Sequence, residues 1–254
     1  MTQDRTQYDL FIDGAFTASS GTDTIAVEYP YDGSVWAHVP DGTHADIDTA
    51  VSAARDQFSA WRDTSPTRRR EVLYEIADAI DDHTDELAEL ETKQNGKLIR
   101  EMRGQMESLG EWYRYYGGLI ETDRGSTVPV ENKDDGMFNY VEDVPYGVVG
   151  AITPWNSPLL LTAWKLAPAL AAGNTFVHKP SEQTPVSALR FAEIITEETS
   201  LPDGAYNVVT GGGETGAAVV EHDGIDKVAF TGSTATGSKV AAAASERLVP
   251  VSLE

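Results

Sequence analysis

The chain has 254 residues, 41% of them hydrophobic, enough for one large domain or two small ones around a sizeable buried core. It contains no cysteine, which excludes a disulfide framework, and His38, His44, His83, His178 and His222 stand without metal-ligand spacing, so no metal site is expected. Acidic residues number 41 against 19 basic ones, a formal net charge of −22 that excludes nucleic acid and anionic membrane surfaces as partners; spread along the whole chain, it fits a cytoplasmic protein of a salt-rich cell.

The first residues, Met1 to Arg5, are charged with no apolar stretch behind them, and no apolar run approaches the ~18 residues of a membrane helix. Leu10-Phe11-Ile12 followed by Asp13-Gly14 predicts a short strand and a tight turn, and Ile25, Val27 and Tyr29 alternate as a strand does. From Asp46 the apolar positions Ile47, Ala50, Val51, Ala54, Phe58 and Trp61 recur at helical spacing. Ser65-Pro66 then supplies an N-cap and a proline at the first helical position of a second helix, whose stripe is Val72, Leu73, Ile76, Ala77 and Ile80. Arg68 to Arg70 read as a solvated turn without functional weight. A further helix is expected through Met106, Leu109, Trp112, Tyr113 and Tyr116. Thr127 to Pro145, with the polar turn Asn132 to Gly136, reads as a two-stranded excursion.

From Val148 the rhythm changes. Val148–Ile152, Thr175–His178, Ala205–Val209, Lys227–Phe230 and Val249–Leu253 read as short strands, and helical segments fill the gaps. Such alternation needs right-handed crossovers and gives an α/β fold with a doubly wound parallel sheet. Ligands of such sheets sit outside the carboxyl ends of the strands. Polar motifs fall at those ends in a fixed order: Ile152-Thr153-Pro154-Trp155-Asn156, then Trp164-Lys165 and Leu166 to Asn174, Lys179-Pro180-Ser181-Glu182, Phe230-Thr231-Gly232-Ser233-Thr234, and Val251-Ser252-Leu253-Glu254. Gly211 to Gly216 also fits a dinucleotide glycine spacing with Asp226 downstream, but abundant glycine makes that spacing common.

As an ordered set, these motifs resemble the signature of the NAD(P)-dependent aldehyde dehydrogenase superfamily, and the resemblance runs the length of the chain. It implies a Rossmann-like sheet of the aldehyde dehydrogenase type. Residues 1–126 would then be the amino-terminal part of a cofactor-binding domain, 127–146 an oligomerisation β-ribbon, and 147–254 the NAD-binding core. The polypeptide would be the amino-terminal portion of an enzyme whose cysteine domain lies outside it. The implied reaction is oxidation of an aldehyde to a carboxylic acid with NAD, or with NADP, by a homo-oligomer, dimer or tetramer. The alternative is a non-catalytic nucleotide-binding fragment, because the chain has no cysteine nucleophile.

The resemblance also implies site residues. Asn156 would donate its amide to the oxyanion of the tetrahedral intermediate, where an ordinary turn asparagine is the plain alternative. Lys165 would serve a proton relay or simply snorkel at a helix end. Glu254 would be the general base that activates water, although a terminal Leu-Glu is also a common remnant of cloning. Ile152 to Trp155 would line the cofactor. Lys179, Pro180, Ser181 and Glu182 would meet the adenosine ribose, the carboxylate accepting both hydroxyls and repelling a 2′-phosphate, or else form a solvated loop before a helix starting at Thr184-Pro185. Thr231, Gly232 and Ser233 would face the pyrophosphate, or be a capped turn. Gly213 would allow close approach of the backbone to the cofactor, or serve a turn alone. Ser157, Leu160 and Trp164 are candidates for the wall of a substrate tunnel.

Overall fold

The structure, a computed structural model, describes residues 6–122, 125–130 and 136–254. Met1 to Arg5 and the Asn132–Asp135 part of the expected polar turn lie outside the described residues. Strands β1 (Leu10–Ile12) and β2 (Ala15–Thr17) form a hairpin whose two turn residues, Asp13 and Gly14, both have positive φ, 53° and 73°. That is the geometry whose twist suits a two-residue hairpin. A second hairpin, β3 (Thr24–Glu28) and β4 (Val35–Pro40), precedes helix α1 (His44–Arg62). Thr43 and Asp46 close a capping box on α1, and Asp46 also accepts from the Ser19 hydroxyl and the Ser20 N–H, which ties the preceding loop down.

Helix α2 (Pro66–Asp82) begins with the expected Ser65 cap, and α3 (Thr84–Asn95), α4 (Ile99–Glu107) and α5 (Leu109–Ile120) follow. Two expectations change, and one helix was not foreseen. The arginines are not a solvated turn: they form the first turns of α2, and Arg69 donates to the carbonyls of Arg62, Thr64 and Ala171, joining three chain segments. The single helix expected around Met106 to Tyr116 is two, with Ser108 between them and its hydroxyl turned back on the Gln105 carbonyl. Helix α3 had no apolar signature in the sequence because its buried stripe, Leu87, Ala88, Glu91 and Gln94, is half polar.

Strands β5 (Ser126–Val128) and β6 (Asn139–Val141) pair as a separate, exposed antiparallel ribbon. The alternating region then runs β7 (Val148–Ile152), α6 (Pro158–Ala171), β8 (Thr175–Lys179), α7 (Val186–Glu198), β9 (Tyr206–Val208), α8 (Gly213–Glu221), β10 (Lys227–Phe230), α9 (Thr234–Glu246) and β11 (Val251–Leu253). The sheet has seven strands in the order β11-β10-β7-β8-β9-β1-β2. Five are parallel, as expected, while β1 adds antiparallel to β9 through Phe11 opposite Val208 and brings β2 with it.

Helices cover both faces, so successive strand residues enter different cores. Val149, Ala151, Phe176 and Ala229 face one core with α2, α5, α6 and α7, and Val148, Val177, Val228 and Phe230 face the other with α1, α8 and α9. Burial on both faces explains why these strands read as continuous apolar runs. Among the described residues no helix is long and apolar enough to cross a membrane.

Candidate functional site

The strand order reverses between β7 and β10: from β7 the chain winds through β8 to β9, then crosses back to β10 and β11. A crevice opens at such a reversal, outside the carboxyl ends of the strands. The register puts Lys179, Ile152, Phe230 and Leu253 side by side at that edge. The next residues remain tied across the row, Thr153 N–H to the Lys179 carbonyl, Thr231 N–H to that of Ile152 and Glu254 N–H to that of Phe230. Motifs as much as 100 residues apart in the chain thus meet along one line.

A cleft of about 490 Å³ lies over this row. It gathers Ile152, Thr153, Pro154, Trp155, Lys179, Ser181, Glu182, Gly213, Thr231, Gly232 and Ser233, which is every expected cofactor position except Pro180. Pro180 is buried just behind it. A larger hollow of about 1220 Å³ lies against the exposed ribbon, between it and α5 and α6. It is away from the strand ends, and the chemistry-bearing motifs do not line it.

Two helices start at the cleft. Ser233 caps α9, its hydroxyl accepting from the Thr236 N–H, so the capped-turn reading holds; the first N–H groups of the helix still lack intrahelical acceptors. Gly213 opens α8 without positive φ, and a Cβ there would meet nothing within 4 Å. Turn geometry therefore does not require this glycine, and its surface faces open cleft. The alternative acid of a dinucleotide fingerprint, Asp226, precedes β10 at the opposite end of the sheet, where it accepts from the Val148 N–H and from Arg55.

At one end of the cleft Lys165, buried in α6, donates to Thr231 Oγ1 at 2.6 Å and to Glu254 Oε2 at 2.9 Å, and the Thr231 hydroxyl donates to the same carboxylate oxygen at 2.7 Å. Lys165 is therefore not snorkelling. The Lys165 bond first, and then the Thr231 bond, holds the Glu254 carboxyl below the usual range, so it is ionised at neutral pH. Thr231, expected at the cofactor, also joins this group. Asn156 is exposed on the turn after β7. At the other end Lys179 is buried, and burial lowers its pKa, partly offset by Glu182, whose half-exposed carboxylate lies 3.4 Å away. Of the tunnel candidates, Trp164 packs edge-on against Trp112 at 5.4 Å, Leu160 is half-buried, and Ser157 is committed to Lys97 at 2.8 Å.

His178, seen in the sequence only as one of five scattered histidines, sits wholly buried beneath this row. Its Nε2 lies 2.8 Å from Thr153 Oγ1 and its Nδ1 2.9 Å from the Tyr206 hydroxyl. The Thr162 hydroxyl, 3.5 Å from Nε2, already donates to the Pro158 carbonyl. A buried phenol proton needs an acceptor, so Tyr206 donates to Nδ1 and Nε2–H donates to Thr153, leaving the Thr153 proton for the cleft. Burial first, then Lys179 and Lys165, pushes the imidazole pKa down to about 3. A histidine inside an otherwise apolar strand run was the signal for it.

With this geometry established, comparison with known sequences decides the family: the profile of the aldehyde dehydrogenase family matches residues 16–254. The chain belongs to that family. DhaS of Bacillus subtilis (strain 168), a protein assigned to the aldehyde dehydrogenases, is 43% identical over 249 residues, 96% of this chain and 50% of its own length. The NAD+ complex of an aldehyde dehydrogenase from Bacillus cereus superposes with a TM-score of 0.93 at 40% identity, covering 98% of this chain and 50% of that one. PnpE from Pseudomonas sp. WBC-3, solved in complex with nicotinamide adenine dinucleotide, gives 0.93 at 44% identity with the same coverages. The chain spans about half the length of each of these proteins.

His178 makes the fold sensitive to acid. Its folded pKa is about 3 against 6.5 for the free side chain, so below pH 6.5 the unfolded chain binds a proton that the folded one does not, and stability falls as pH falls. The slope is about 1.4 kcal/mol per pH unit. Urea unfolding at pH 7.5, 6.5 and 5.5 should show the wild-type advantage over His178→Gln shrinking with acid; a gap that does not change with pH contradicts a neutral buried imidazole.

Proposed function

We propose that this chain is the dinucleotide-binding half of an NAD-dependent aldehyde dehydrogenase. The observation that supports this best is the single row of strand ends, which joins the Lys165–Thr231–Glu254 group at one side of the cleft to Lys179 and Glu182 at the other. The cleft fits a dinucleotide. It offers two helix N-termini for phosphates, open space at Gly213, apolar walls from Ile152, Phe230 and Val240, and a carboxylate at the ribose end. When bound, NAD supplies the hydride acceptor.

The residues divide the remaining work. Glu182 accepts from ribose hydroxyls and disfavours a 2′-phosphate, so NAD is preferred to NADP. Asn156 donates its amide to the oxygen that gains charge when an aldehyde is attacked. Glu254 takes a proton from water. Its lowered pKa makes it a weaker base than a free carboxylate, so its effectiveness comes from being held in place by Lys165 and Thr231. The exposed ribbon, with Val128, Phe138, Tyr140 and Val141 toward solvent, is the surface where another subunit of a homo-oligomer pairs. None of the 254 residues is a cysteine, so within this polypeptide no thiolate can add to the aldehyde. The reading for the chain by itself is nucleotide binding without turnover.

Calorimetric titration with NAD and NADP, run beside NADH absorbance over a panel of aldehydes, tests this. Binding of NAD with no aldehyde-dependent NADH is expected; NADH formation by a homogeneous sample contradicts the cysteine argument, and absence of NAD binding contradicts the cleft assignment. Glu182→Ser should weaken NAD binding by about 1.5–3 kcal/mol and narrow the preference over NADP. Unchanged affinities for both nucleotides remove Glu182 from the site.

The net charge of −22 is the basis for a halophilic origin. At ~1 M salt the Debye length is about 3 Å, which screens repulsion between surface carboxylates. The melting temperature is therefore expected to rise as KCl is increased to molar concentration, and a flat or falling curve contradicts it.

A further inference from the structure

Helices α6 and α7 both begin beside the cleft, α6 directly after the Asn156 turn and α7 directly after the Lys179–Glu182 turn. Neither is capped by a side chain of its own flanking residues. Thr184, where the sequence starts this helix, is buried with its hydroxyl unpartnered. The buried N–H groups of a first turn need acceptors from elsewhere.

Helix α3 supplies those of α7. Gln94 Oε1 accepts from the N–H groups of Val186 at 3.1 Å and Ser187 at 3.3 Å. Its Nε2 donates to Glu91 Oε1 at 3.1 Å and to the Ser187 hydroxyl, so both ends of the amide are fully used. Glu91, one turn earlier, accepts that Gln94 bond at Oε1, while its Oε2 is buried without a hydrogen-bond partner. Gly96, with φ 76°, ends α3, and just beyond it Lys97 Nζ donates to Ser157 Oγ at 2.8 Å. The Ser157 hydroxyl donates in turn to the Asn156 carbonyl at 2.7 Å.

Glu91 and Gln94 are almost completely buried. Packing alone would be better served there by leucine or methionine, because a buried carboxyl or amide repays its desolvation only through specific bonds. The bonds Gln94 makes lead to the start of α7, beyond the turn that carries Lys179 and Glu182, and the Lys97–Ser157 bond leads to the turn that carries Asn156. We propose that Gln94 is a positioning residue for the Lys179–Glu182 turn, and that Lys97 extends the same brace through Ser157 to the Asn156 turn, so that the carboxyl end of α3 sets the spacing between the two ends of the cleft. The functional consequence rests on the nucleotide reading; the brace itself does not.

The experiment uses the 254-residue chain, the variant Gln94→Leu, and Leu87→Val as a control that loosens the same helix from within the core without touching either turn. Amide hydrogen exchange is followed by NMR, NAD affinity by calorimetry, and melting temperature for each protein. Gln94→Leu should lose protection at Val186 and Ser187 and bind NAD about fivefold more weakly. Leu87→Val, at a comparable loss of melting temperature, should change neither. If Gln94→Leu does not fold, Gln94→Met, of nearly the same volume as glutamine, is read in its place. An effect on exchange and affinity no larger than that of the control overturns the proposal. A wild-type chain that binds no NAD overturns the nucleotide reading; the brace is then decided by exchange alone, upheld by lost protection at Val186 and Ser187 and overturned by its persistence.

Discussion

The register of the parallel strands is the constraint on which the rest of the structure depends. Because Ile152 pairs with both Lys179 and Phe230, and Phe230 with Leu253, the residues that follow each strand emerge level with one another. Side chains alternate between faces along a strand, so a slip of one residue would send Phe230 and Val228 into the wrong core. The same hydrophobic pattern that fills the two cores therefore fixes where the polar motifs emerge. Placing them at the reversal of strand order, where neighbouring crossover helices lie on opposite faces, leaves room for a ligand.

Electrostatics at this edge are arranged in compensating pairs within a strongly acidic molecule. Lys165 and Lys179 are buried cations here, and each forms an ion pair with a carboxylate, Glu254 and Glu182 respectively, both about half open to solvent by side chain. An ion pair with one exposed partner avoids most of the desolvation that two buried charges carry. Burial first, and then the positive charges of Lys179 and Lys165, keep His178 neutral. A protonated imidazole there would be a third cation beneath a cleft whose helix N-termini already supply positive potential.

Much of this was legible in the sequence, for identifiable reasons. Strands buried on both faces show as unbroken apolar runs, and Asp13-Gly14 and Ser65-Pro66 are turn and cap signals that act over a few residues. What escaped was set by distant partners. β1 joins the main sheet only through Val208, almost 200 residues away, and α3 conceals its inward face because Glu91 and Gln94 occupy it. Thr184-Pro185 has the local form of a helix cap, yet the acceptor is the amide of Gln94, some 90 residues earlier. Arg69 looked solvated within a run of three arginines because the carbonyls it serves, among them Ala171, lie in other segments. Local signals locate elements; the contacts that aim the site are non-local.

The central claim is that the crevice between β7 and β10 holds the dinucleotide. Mapping amide chemical-shift changes on the 254-residue chain during titration with NAD addresses it most directly. The account predicts saturable changes concentrated at Thr153 to Asn156, Lys179 to Glu182, Gly213 and Thr231 to Gly237, with little at the β5–β6 ribbon. Saturable changes centred on the ribbon and the hollow beside it, or none along the row of strand ends, would contradict it.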